Sequence, residues 1–132
     1  MTITSPETTH GTDDATGWIT VCSLADLAPE QGRAALLPDG AQVAIFRLQD
    51  DALYALGNID PFWGAPVMAH GIVGDRAGVP TVATPLLKQV FSLETGQCLD
   101  DPAVSLPVYP IEVVEGAVRI AVQPSSRAVP SA

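Results

Sequence analysis

The chain has 132 residues, 47% of them apolar, and fifteen Asp and Glu against six Lys and Arg give a formal charge of −9. That length suits one domain with a core that holds without metal or disulfide staples, and the acidity repels phosphate backbones and anionic lipid surfaces, which excludes nucleic-acid and membrane-surface binding. No uncharged apolar run nears the ~18 residues that span a bilayer, and Met1 to His10 has neither the basic region nor the apolar run of a secretory signal, so a soluble cytoplasmic protein is expected.

In chain order, residues 1–16 are rich in Thr, Asp, Pro and Gly without an apolar period and are expected to form a flexible tail. Strands are predicted at 18–22, 33–37, 42–48, 52–56, 79–83, 90–93, 108–114 and 117–122, each a short apolar or β-branched run. Between the first two, Ser23 to Leu27 fits one helical turn, with Ser23 as N-cap and Asp26 reaching back to it. Pro38-Asp39-Gly40, Gln49-Asp50-Asp51, Glu94-Thr95-Gly96 and Glu115-Gly116 supply residues that tolerate positive φ or cap their own turns. Gly71 to Asp75 reads as a loop, without the context of a nucleotide fingerprint, and residues 123–132 read as a second tail. The pattern is all-β, with one domain over 17–122.

Chemistry-bearing residues are few. Cys22 and Cys98 lie far apart with no His at ligand spacing, His10 falls in the tail, and the cysteines read as small apolar residues of a reducing compartment. His70 stands without a neighbouring carboxylate or nucleophile, and no nucleophile, base and oxyanion donors share a recognisable spacing. No catalytic residues are expected.

Two loops carry the remaining information. Leu53-Tyr54-Ala55-Leu56-Gly57-Asn58-Ile59-Asp60-Pro61-Phe62 and Thr84-Pro85-Leu86-Leu87-Lys88-Gln89-Val90-Phe91, the latter running on to Gly96, resemble the two loops of Rieske domains. In that family Cys-Pro-His and Cys-Pro-x-His bind a [2Fe–2S] cluster through two thiolates and two imidazoles. The resemblance puts Asp60, Phe62, Thr84 and Leu87 at the four ligand positions. Phe62 and Leu87 have no donor atom, Thr84 is a very weak ligand, and Asp60 is read as a turn residue whose carboxylate accepts backbone N–H groups. The expectation is therefore a Rieske-like, ferredoxin-type β-sandwich without a cluster, no cofactor or metal of its own, and Phe62 packing against Leu87 where the cluster would sit.

The first loop also gathers Phe62, Trp63, Pro66, Val67 and Met68, more apolar surface than a solvated loop carries. Rieske proteins present this side to their electron-transfer partners, and aromatic and Met side chains concentrate at interface centres. Trp63, Val67 and Met68 are the expected partner contacts, with Lys88, in the place of a common Rieske Gly, as a candidate ion-pair donor. More specifically, Asn58 to Phe62, Gly71 to Asp75, Pro85 to Phe91 and Gly96 to Asp100 look like the small subunits of assimilatory NAD(P)H-dependent nitrite reductases. That resemblance implies a large-subunit partner carrying FAD, an iron–sulfur cluster and sirohaem, which reduces nitrite to ammonium, and a non-catalytic accessory role for this chain. A free-standing β-sandwich interaction module and a ferredoxin with unconventional ligands stand as the alternatives.

Overall fold

The structure, a computed structural model, describes residues 9–10, 12–13, 17–85 and 89–124. The strands are β1 Thr9–His10, β2 Thr12–Asp13, β3 Trp18–Ser23, β4 Gly32–Leu36, β5 Gln42–Arg47, β6 Leu53–Gly57, β7 Ile72–Arg76, β8 Val79–Ala83, β9 Val90–Ser92, β10 Ile111–Val114 and β11 Ala117–Ala121. Single 3₁₀ turns occupy Leu24–Asp26 and Met68–His70. The Leu24–Asp26 turn is closed as its sequence predicts: Ser23 donates its N–H and its hydroxyl to Asp26 Oδ2 at 3.2 and 3.0 Å.

Among the described residues three sheets form, ordered β1-β4-β5-β6, β10-β11-β3-β2 and β7-β8-β9. β5 explains how they stack. Its run Val43-Ala44-Ile45-Phe46 is fully buried on both faces, and because side chains alternate along a strand, Val43 and Ile45 enter one core while Ala44 and Phe46 enter another. The first core joins them to Ile19 and Val21 of β3, Ala35 of β4 and Val118 and Ile120 of β11. The second joins Leu56, Met68, Val82, Phe91, Cys98 and Leu106, and lies between the central sheet and the small β7-β8-β9 sheet. A continuous apolar run is thus a strand covered on both sides.

The structure departs from the sequence reading at four places. β1 pairs in parallel with Ala35 and Leu36, and β2 pairs with Ile19 and Thr20; both lie in the stretch read as a tail, because backbone pairing needs no apolar period. β7 replaces the loop read at 71–75. It is a sheet-edge strand whose side chains are mostly exposed, so burial left no alternation to read. The strand predicted at 108–114 begins only at Ile111, since Pro110 has no N–H to contribute to a ladder. Hairpin turns match their chemistry, most clearly β10–β11, where Glu115 and Gly116 both have positive φ, 52° and 81°, as a two-residue type I′ turn requires.

Candidate functional site

The first loop leaves β6 through Asn58, which is 3% exposed. Asn58 Oδ1 accepts the Ala69 N–H at 2.8 Å and its carbonyl accepts the Met68 N–H at 3.0 Å, so the 3₁₀ turn Met68–His70 is tied back to the start of the loop. Between these ends, Asp60 Oδ1 accepts the Phe62 N–H at 2.8 Å, the Asp60 carbonyl accepts the Gly64 N–H at 2.6 Å, and the Asp60 N–H donates to Ala65 at 2.8 Å. Asp60 is therefore the turn residue that its position before Pro61 predicts. Its other oxygen, Oδ2, is buried without a hydrogen-bond partner.

The second loop leaves β8 through Thr84, fully buried, whose N–H donates to the Gln89 carbonyl at 2.9 Å. Leu87 and Lys88, both singled out by the sequence, lie outside the described residues. So does the expected contact of Phe62 with Leu87. Phe62 is half-buried and packs against the second core, its ring centroid 6.2 Å from that of Phe91 with the planes tilted by 55°. This tilted pair is a favourable aromatic geometry, and it links the first loop to β9, the strand that follows the second.

The proposed contact residues divide. Trp63 is 60% exposed, Val67 is half-buried, and Met68 is fully buried in the second core. Met68 is thus withdrawn as a docking contact, because the Asn58 tie turns the end of the loop into the core. Sequence reasoning missed Ile72, 59% exposed on β7, and Asp100, whose carboxylate accepts the Val90 N–H at 2.9 Å and meets Arg76 at 3.4 Å. The Val90 N–H, then Arg76, hold the Asp100 carboxyl below its ordinary range. Burial pushes the Cys22 thiol up to about 11, which keeps it protonated and unreactive at neutral pH. Cys98 is buried in the second core, and both cysteines are free.

Residues 17–121 match the family described as Rieske-like [2Fe-2S] domain. The chain is 40% identical over 104 residues to the nitrite reductase (NADH) small subunit of Escherichia coli K12, covering 78% of this chain and 95% of that one. A Mycobacterium tuberculosis crystal structure described as an NADH-dependent nitrite reductase small subunit superposes with a TM-score of 0.77 at 54% identity, covering 78% of this chain and 92% of that one. A segment of the Klebsiella oxytoca nitrite reductase [NAD(P)H] large subunit is 34% identical over 103 residues, 78% of this chain but 11% of that protein. A complex of reduced oxygenase and oxidized ferredoxin in carbazole 1,9a-dioxygenase contributes a chain with a TM-score of 0.61 at 27% identity, covering 83% of this chain and 96% of that one.

These findings correct the expectation that the chain has no cofactor: a family described by its [2Fe-2S] centre, and a neighbour from a ferredoxin complex, point to an iron–sulfur cofactor. The described residues do not reproduce the thiolate and imidazole donor set of such a centre. Phe62 has no donor atom, Asp60 offers the buried oxygen Oδ2, and among the described residues no three His, Cys, Asp or Glu come together as a metal site. A family match over residues 17–121, and identity sustained over nearly the whole of the E. coli chain, give one conclusion. The chain belongs to the Rieske-like [2Fe-2S] domain family, and within it to the nitrite reductase small subunits.

Proposed function

We propose that this chain is the accessory small subunit of a cytoplasmic NAD(P)H-dependent nitrite reductase, and that it docks through its first loop on a large subunit that reduces nitrite to ammonium. One observation carries the reading: a domain like this one occurs as a separate small subunit in E. coli and as a segment of a large subunit in K. oxytoca. A domain found both joined to a chain and apart from it works in contact with that chain. The exposed Trp63 at the loop tip supports the choice of surface, since Trp is enriched among residues that dominate binding energy. No helix among the described residues is long and apolar enough to cross a membrane.

Co-expression of a tagged small subunit with the large subunit of the same organism tests the reading. The large subunit should copurify in a fixed ratio, and removing the small subunit should lower nitrite reduction. A small subunit that elutes alone at micromolar concentration, with undiminished activity of the isolated large subunit, would refute it.

A further inference from the structure

β7 is the outermost strand of the β7-β8-β9 sheet, and no strand among the described residues pairs with its outer side. The hydrogen bonds of β8 fix which backbone groups of β7 are left over. Leu93 donates its N–H to the Pro80 carbonyl, and Thr84 donates its own to Gln89, both at 2.9 Å, so Pro80, Val82 and Thr84 turn their backbone groups towards β9. By the alternation of an antiparallel ladder, Val79, Thr81 and Ala83 bond to their register partners Arg76, Gly74 and Ile72. Val73 and Asp75 therefore direct their N–H and C=O groups off the edge. Four such groups in a row are a template for a further strand. β7 has neither Pro nor Lys to block one, and no bulge interrupts its pairing with β8.

The same edge borders a cleft of about 370 Å³ whose wall includes Glu30, Leu48, Asp50, Val73, Asp75 and Pro80 and neither Lys nor Arg. Directly opposed residues of an antiparallel pair place their side chains on one face, so the residues of an added strand opposite Val73 and Asp75 would point into this cleft. Asp50 Oδ1 and Asp75 Oδ2 accept the Ala52 and Gly78 N–H groups at 3.1 Å, which fixes both carboxylates in place and leaves each a second oxygen. We propose that β7 accepts an extended, basic strand of the large subunit, whose backbone pairs with Val73 and Asp75 and whose Lys or Arg side chain enters the cleft of Glu30, Asp50 and Asp75. This rests on the docking reading above and adds a second contact to it, continuous with the first because β7 starts two residues after the Met68–His70 turn that closes the first loop. Charge decides the occupant: a second copy of this chain would bring another net −9 against the cleft, whereas a basic segment is attracted to it. In strand addition the main-chain bonds supply affinity, and pockets for alternate side chains supply specificity.

Amide hydrogen exchange of the small subunit, alone and saturated with the purified large subunit, tests the pairing. The Val73 and Asp75 amides should exchange rapidly in the chain alone and slow by about tenfold or more in the complex, while the Gly74 amide, bonded within the ladder, is slow in both. Calorimetric titration into the large subunit, at low and at moderate salt, reads the affinity. Asp75→Pro removes an outward N–H without breaking a ladder bond and should weaken binding by about tenfold or more. E30Q/D50N should weaken it too and lose most of the salt dependence, while D39N/E115Q, the same charge change at two other turns, should stay within about twofold. Unprotected Val73 and Asp75 amides in a complex that does form overturn the added strand and leave the docking of the first loop intact. So does wild-type affinity in either Asp75→Pro or E30Q/D50N, or an equal loss in D39N/E115Q. Protection of these amides that grows with the concentration of the small subunit alone would assign the edge to a second copy and also overturn the proposal. A wild-type chain that does not bind at all brings down the docking reading and the added strand with it.

Discussion

Asn58 shows how much one buried polar side chain can organise. Its N–H donates to the Gln42 carbonyl at 3.0 Å, its carbonyl accepts from Met68, Oδ1 accepts from Ala69, and Nδ2 donates to Gln42 Oε1. Truncation to Ala would leave the buried Ala69 N–H unpaired, and an unsatisfied buried group of this kind costs about 1 to 3 kcal/mol. Asn58→Ala is expected to lower the unfolding free energy from denaturant titration by that amount, and a loss below about 0.5 kcal/mol, the usual range for surface changes, would show the tie to be replaceable. A partial signal was present at this position, an Asn two residues beyond the strand predicted at 52–56, but an Asn near a strand end fits a solvated turn as well as a buried hub. Asp60 was legible for a better reason, because an Asp before Pro constrains its own turn locally. Met68 was misread for the opposite reason: its burial depends on the distant Val82 and Phe91, and nearness to Trp63 in sequence says nothing about them.

At the scale of the elements, Asp100 joins two strands of the small sheet that carries the second loop. It receives the β9 N–H of Val90 on one oxygen and Arg76 of β7 on the other. Both contacts favour the ionised carboxylate, and its folded pKa lies below the ordinary Asp value of about 3.9. The sign follows: the contribution is complete above the unfolded pKa and is lost as the pH falls through the lower, folded one. The Val90 amide resonance should titrate with a midpoint below that of a free aspartate and stop titrating in Asp100→Asn. A midpoint at or above the free value would mean that the carboxylate is not held there. Strands with one or two buried faces were readable from the sequence, β5 from its unbroken apolar run and β8 with its boundaries unchanged. The two-residue β1 and β2 were not readable, and neither was β7, whose side chains are mostly exposed. Pro110 marked the late start of β10, but the apolar residues on either side of it outweighed that signal.

For the whole molecule, assembly with the large subunit is the property to measure, and Trp63 is the most exposed aromatic side chain. If the first loop seats against the partner, Trp63→Ala should fold as the parent does and bind with about 2 kcal/mol less energy or more, roughly a thirtyfold loss. Parent affinity in a well-folded variant would move the interface elsewhere, for instance towards Ile72 on the exposed edge of the small sheet. The family and its partner were legible because the resemblance runs over nearly all of the domain, not over one short motif. The cofactor was misjudged from four positions alone, where the family as a whole is defined by an iron–sulfur centre. The two cores that meet on β5 have a last consequence. Val43 and Ile45 cannot leave one of them without Ala44 and Phe46 leaving the other, so the molecule has no independent halves to melt in turn. A partner that binds only the native loops therefore draws the entire equilibrium towards the folded state, by RT ln(1 + [L]/Kd). The remote β10-β11-β3-β2 sheet then gains thermal resistance from a contact made on the opposite side of the central sheet.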